Sequence, residues 1–152
     1  MKDIEAIKQS LRDLFAGQYF LVLATRSQPS PHTSLVAFAS DDNLEWFFFA
    51  TQRSTQKFVN IVNDCHVSLL VDNRGNDIND LAYAMAVTVT GLAQELPATE
   101  RESALPFFLT KHPEMTDFVQ SPHTVFVKVK VLTYRIVTQF QNVVTLNIAD
   151  SP

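Results

Sequence analysis

The sequence predicts a mainly β fold, an antiparallel barrel with helices packed on its outside. Two observations carry this. Seven runs read as strands and three as helices, in mostly adjacent order, which suits a sheet that closes on itself. One run, Trp46-Phe47-Phe48-Phe49, is apolar at every position, as expected of a strand covered on both faces.

Residues 3 to 16 have helical spacing. Ile4, Ile7, Leu11, Leu14 and Phe15 form one stripe, with Lys8, Arg12 and Asp13 elsewhere. Gly17 is placed to stop that helix. Tyr19 to Thr25 is the first strand, Gln28-Pro29-Ser30-Pro31 a turn, and His32 to Ser40 the second strand. Asp41-Asp42-Asn43 is a hairpin loop leading to a third strand, Leu44 to Ala50. Arg53 to Asn63 returns to helical spacing, with Phe58, Ile61 and Val62 as the expected buried stripe. His66 to Asp72 alternates as a strand, and residues 73 to 82 are polar, a loop or short helix. Met85 to Leu96 is a strand, and Pro97 opens a helix carrying Leu105, Phe108 and Leu109. In the long strand His123 to Thr138, Val125, Val127, Val129 and Val131 share one face and Lys128 and Lys130 the other. Val143 to Ile148 is the last strand. No repeat, low-complexity tract or linker interrupts the chain, so residues 1–152 read as a single domain.

Hydrophobic residues make up 46% and charged residues 18% of the 152, enough to bury a core. A net charge of -4 lacks the basic footprint of a nucleic-acid binder. The longest apolar runs are too short to span a membrane. Cys65 is the one cysteine, and the opening Met1-Lys2-Asp3-Ile4-Glu5 is not the apolar run of a leader. Together these set the expectation of a reducing, cytoplasmic compartment. The three glycines, Gly17, Gly75 and Gly91, cannot build a dinucleotide fingerprint or a P-loop. Any phosphate site must therefore use side chains and ordinary backbone amides.

Such a site is legible at Phe48-Phe49-Ala50-Thr51-Gln52-Arg53-Ser54-Thr55-Gln56-Lys57. A buried strand ends at Thr51, hydroxyls follow at Ser54 and Thr55, and Lys57 lies at the opening of a helix. A helix N-terminus presents unpaired N–H groups and partial positive charge. Hydroxyls plus Arg53 and Lys57 complete a set suited to phosphate. The plainer reading is that Ser54 or Thr55 caps the helix and Lys57 is a solvated charge.

This stretch resembles the pyridoxamine 5'-phosphate oxidase-like family, the FMN-binding split barrels. The likeness runs from Thr51, Thr55 and Lys57 into Asn63-Asp64-Cys65-His66-Val67-Ser68-Leu69-Leu70 without a gap. Upstream it includes Leu23-Ala24-Thr25 and His32-Thr33-Ser34-Leu35-Val36-Ala37-Phe38; downstream Val71-Asp72-Asn73-Arg74, Ala86 to Gly91 and Tyr134-Arg135-Ile136-Val137. It covers roughly residues 18 to 148. The resemblance implies a split barrel that binds FMN as a homodimer, with its sites at the subunit interface. Thr51, Thr55 and Lys57 would hold the phosphate, with Arg53 and Ser54 nearby. His32 stands where the family has a cofactor-contacting Arg, and Thr33, Ser34, Leu35 and Val36 would offer backbone groups to the flavin ring. Phe140 and Gln141 would approach the flavin held mainly by the other subunit.

The departures narrow the reaction. Gln56 replaces an Arg of the phosphate site, Ala86 a flavin-contacting Gln, and the Arg-Leu-His-Asp-Arg-like substrate segment is absent after Phe140-Gln141. Vitamin B6 phosphate oxidation is therefore not expected; an FMN-dependent oxidoreductase acting on another small molecule is. The alternatives are a flavin or haem carrier or sensor on the same barrel, with His32 or His123 as haem ligand, and a deazaflavin-dependent reductase. Asn73 and Arg74 either reach the flavin or an anion or serve as turn residues. No metal site is expected, since none of the four histidines has a chelating spacing. Neither a cysteine nucleophile nor a serine elbow is legible.

Overall fold

The computed structural model describes residues 3–139 and 141–148. α1 (Ile4–Gly17) starts at Asp3, whose side chain accepts from Glu5 N–H. The strands follow as β1 (Phe20–Thr25), β2 (His32–Ala37), β3 (Ala39–Ser40) and β4 (Trp46–Gln52). Next come α2 (Gln56–Asn63), β5 (His66–Asp72), the short α3 (Asp80–Tyr83) and β6 (Met85–Glu95). α4 (Ala98–Lys111), a 3-10 turn (Pro113–Met115) and α5 (Thr116–Gln120) precede β7 (Thr124–Thr138) and β8 (Asn142–Asn147).

The eight strands form one sheet in the order β2-β1-β5-β6-β7-β4-β3, with β8 added to β7. Every pairing is antiparallel. The two ends of that order, β2 and β3, are consecutive in the chain, separated only by Phe38. A sheet whose opposite edges are joined by one residue must curl back on itself, which makes the barrel. The single strand expected from His32 to Ser40 is thus two, because the chain changes partners at Phe38, from β1 to β4.

The barrel interior holds Leu21, Leu23, Val67, Leu69, Val87, Val89, Phe47, Phe49 and Tyr134, with Leu11, Leu14 and Phe15 of α1 packed against them. Tyr134 donates its buried hydroxyl to Leu44 O at 2.8 Å. A second cluster on the outside joins Phe108 of α4 and Val119 of α5 to Phe126 and Ala50, with Phe48 packed on it. These two clusters explain the wholly apolar Phe47-Phe48-Phe49: alternate rings serve the interior and the helix layer.

Three expectations are corrected. α2 begins at Gln56 rather than Arg53, since Arg53 to Thr55 form the turn that leads into it. Val62 is 68% exposed, and Asn60 is buried in its place. The Asn60 amide is satisfied on both sides, donating to Thr25 Oγ1 at 3.0 Å and accepting from Gln56 Nε2 at 2.7 Å. That polar network, rather than the apolar count, sets the rotation of the helix. The 3-10 turn and α5 were not anticipated, because segments so short carry little periodicity.

Candidate functional site

Thr51, one residue before the end of β4, is buried against the barrel, and beyond Gln52 the chain turns through Arg53 and Ser54 into α2. Thr55 is the N-cap: its hydroxyl accepts from Phe58 N–H at 3.4 Å. It donates to Gln52 O at 2.9 Å, so in the 2.9 Å contact with Thr51 Oγ1 it is Thr51 that donates. Both hydroxyls are therefore spent on the local fold. Arg53 is also engaged, in a two-pronged pair with Glu95 at 3.2 and 2.9 Å, which raises its pKa. What remains open is the exposed Ser54 hydroxyl, the half-buried Lys57 ammonium, and the N–H groups of Gln56 and Lys57. Among the described residues none of these has an acceptor. Two adjacent free amides, a hydroxyl and a cation at a helix N-terminus make a cradle suited to a phosphate dianion.

β2 supplies the second half. Phe38 N–H bonds Tyr19 O at 3.2 Å, which fixes the alternation of the β1–β2 ladder. Ser34 and Val36 face Leu23 and Leu21 in hydrogen-bonded pairs, while Thr33 and Leu35 aim their N–H and C=O groups off the open edge of the sheet. The side chains split the other way. Val36 is in the core, Leu35 is 68% exposed, and Ser34 Oγ is buried with no hydrogen-bond partner. The two halves are tied together by a relay in which Gln56 donates to Asn60, Asn60 to Thr25, and Thr25 Oγ1 to His32 O at 3.5 Å. Beside the relay a polar cleft of 540 Å³ opens, lined by Arg26, Ser27, Gln56, Asn60 and Asn63. Sequence reasoning missed Thr25 and Asn60; the signal available was the amide pair Gln56 and Asn60, one helical turn apart.

The remaining candidates gather elsewhere. Asn73 accepts from Met85 N–H at 2.7 Å, and Arg74 pairs with Asp72 at 3.0 Å, so both close the loop between β5 and β6. Asp80 gathers the N–H groups of Gly75 and Asp77 in the same loop, which lowers its pKa. Gln141 sits in the β7–β8 turn, and Phe140 lies outside the described residues. That turn adjoins the Asn73 loop, since Met85 is paired with Thr138 and Asp72 with Ala86. Thr51, by contrast, is paired with Val125 at the opposite end of β7. The thirteen strand steps from Val125 to Thr138 measure roughly 40 Å along the curved strand. Within one chain the Lys57 group and the Gln141 group therefore lie towards opposite ends of β7.

Among the described residues no group of three or more His, Cys, Asp or Glu could hold a metal ion. The Asp64 carboxylate accepts from His66 backbone N–H at 3.0 Å, contacts His66 Nδ1 at 2.8 Å and pairs with Arg26 at 3.0 Å, which together keep it well below the usual range. Also among the described residues, no helix is long and apolar enough to cross a membrane.

A family model described as Pyridoxamine 5'-phosphate oxidase matches residues 7–138. No match was found among curated proteins. Several solved structures share the fold. A haem-binding protein from Mycobacterium smegmatis superposes with a TM-score of 0.81 at 16% identity, over 92% of this chain and 57% of that one. This chain thus spans little more than half the length of that relative. A FAD-binding protein from Mesorhizobium loti gives 0.66 at 18% identity, over 81% and 86% of the two chains. HutZ, a haem-storage protein from Vibrio cholerae, gives 0.70 at 15% identity, over 81% and 88%.

Proposed function

The chain belongs to the pyridoxamine 5'-phosphate oxidase family, and from that premise we propose that it binds FMN as a homodimer and acts as an oxidoreductase on a small molecule. The observation that carries this reading is the set of unsatisfied donors where β4 meets α2: Ser54 Oγ, Lys57 Nζ and two adjacent backbone amides. In this reading Lys57 and those amides bind the phosphate, and Thr51 and Thr55 hold the turn in shape. Thr33 and Leu35 offer edge N–H and C=O groups to the polar rim of the flavin ring, next to the unpartnered Ser34 hydroxyl. Bound FMN would supply the hydride or electron transfer; the protein supplies grip, orientation and shelter from water. Phe140 and Gln141 would reach the flavin held by the second subunit, in keeping with the distance that separates Gln141 from Lys57 along β7.

A dimer also suits the outer face of the sheet. Leu35, Val22 and Leu70 align across β2, β1 and β5, with Ala24 and Ser68 beside them, and Leu35 and Phe20 are exposed. An apolar sheet face of this kind marks an interaction surface.

The second reading, a haem carrier, is favoured by the haem-binding relatives of the same fold. Its candidate ligands are the half-buried His32 and the exposed His123. An absorbance spectrum of the protein after addition of FMN and desalting tests both. Retained flavin bands support the proposal, and a Soret band in the untreated protein supports the haem reading. Retention of a deazaflavin but not FMN would keep the site and change the cofactor.

A further inference from the structure

Between the sheet and α4, three aromatic rings are left partly open to water. Trp46 and Phe48, alternate residues of β4, are half-buried, and Phe107 of α4 is 44% exposed. With Leu96 and Ala104 they line a groove of 380 Å³. Phe107 meets Phe48 edge-on at 5.9 Å, and Phe48 stacks on Phe126 at 6.2 Å, so the rings brace one another. Trp46 and Thr51 stand towards opposite ends of β4, which separates this groove from the phosphate cradle. Small-molecule sites run from about 300 to 1,000 Å³, so the groove has room for one ring and a short chain.

Three charged side chains line the groove, and two of them are paired. Lys128 Nζ lies 4.8 Å from the centroid of the Trp46 ring and donates to Glu100 Oε2 at 2.7 Å. The protein thus already seats one ammonium between an aromatic face and a carboxylate. Asp41 is the third. Its Oδ1 accepts from Glu45 N–H at 2.9 Å and Trp46 N–H at 3.0 Å, which ties the carboxylate to the start of β4. Among the described residues no cation pairs with it; the ion pairs use Asp64, Glu95, Asp72, Glu114 and Glu100. Arg12 and Lys111, in the adjoining cavity, donate to Asp42 O at 2.8 Å and Phe15 O at 2.9 Å. The Ser103 hydroxyl is spent on Glu100 O at 3.0 Å. The charge left unpaired in the groove is therefore negative. Aromatic faces attract cations as well, because the ring quadrupole is negative above its plane. Ring faces and unpaired carboxylate select the same kind of ligand.

We propose that this groove binds an arylalkylamine, with its ring against Phe48 and Phe107 and its ammonium at Asp41. The amine extends the arrangement that Lys128 makes with Trp46 and Glu100, and it supplies the cation that Asp41 lacks.

Trp46, the one tryptophan of the chain, lines the groove and supplies the readout. Phenethylamine titrated into the full chain is expected to change its emission saturably. Phenethyl alcohol and hydrocinnamate carry the same ring with no charge and with a negative charge. Both should bind at least about tenfold more weakly, the order of one charge-assisted hydrogen bond. Asp41→Asn keeps an oxygen for the Glu45 and Trp46 N–H groups and removes the charge, so amine and alcohol should then bind alike. Phe107→Ala, at a ring already 44% exposed, should weaken the amine. An amine that gives no saturable change, or that binds no better than the alcohol, overturns the proposal. So does a preference for the amine that survives Asp41→Asn, or a Phe107→Ala protein that binds it as tightly as the parent.

Discussion

At the scale of single residues, the candidate site separates groups that build the turn from groups left to bind. Thr55 reads in the sequence as either a helix cap or a phosphate ligand, and its hydrogen bonds make it the cap of α2. Lys57 has no such occupation, and on the proposed reading it carries a charge-assisted bond to phosphate. Lys57→Ala should weaken FMN binding by about 1.5–3 kcal/mol, read by quenching of flavin fluorescence on titration. Equal affinity in the two proteins would remove Lys57 from the site. Stability against pH also has a residue-scale signature. Burial lowers Lys111 from 10.5 to about 8 in the fold, so above pH 8 the unfolded chain binds more protons and stability rises. Tyr134 is pushed above 10.0 by burial and by Asp41, so beyond pH 10 the folded chain holds the extra proton and stability falls. Urea titrations between pH 7 and 11 should give a stability maximum near pH 10; a steady decline from pH 8 would contradict the burial assigned to Lys111.

Among the elements, the β6–β7 pair shows how one residue permits a close approach. The ladder shifts register between Thr90 and Gly91, and a Cβ at Gly91 would lie 2.5 Å from Lys130 O. That oxygen is backbone in a central strand and cannot swing aside. Gly91→Ala is therefore expected to cost about 1–3 kcal/mol in chemical denaturation; a loss within error of zero would mean that the ladder re-registers freely. α2 teaches the complementary lesson. Its apolar spacing pointed to Val62 as a core residue, and one satisfied amide, Asn60, turned the helix instead. In a helix of eight residues the apolar stripe is too short to outweigh a buried hydrogen-bonded network.

For the whole molecule, the question is what covers the outer face formed by Leu35, Val22 and Leu70. On the proposed reading a second copy covers it and supplies its own β7–β8 turn to the flavin site. Leu35→Glu should then shift the protein to monomer in sedimentation equilibrium and lower FMN affinity together. A dimer that persists, or a monomer that binds FMN as tightly as the parent, would sink the shared-site reading. Leu35 is apt for this test because its side chain is 68% exposed and makes no core contact that would confuse stability with assembly.

The sequence by itself determined most of the strands and the longer helices, the barrel class and the family, and it marked Thr51 to Lys57 as the stretch where we propose that phosphate binds. These depend on local periodicity and on short runs such as Thr51 to Lys57, where neighbours in the chain are neighbours in space. Only the tertiary structure decided which donors are free. It paired Arg53 with Glu95 across 42 residues, tied Asn60 to Thr25 across 35, and split one expected strand at Phe38. It also put Asn73, Arg74 and Gln141 at the far end of β7 from Lys57. Such facts follow from sheet register and from competition among distant partners for each hydrogen bond, and neither leaves a mark in local spacing.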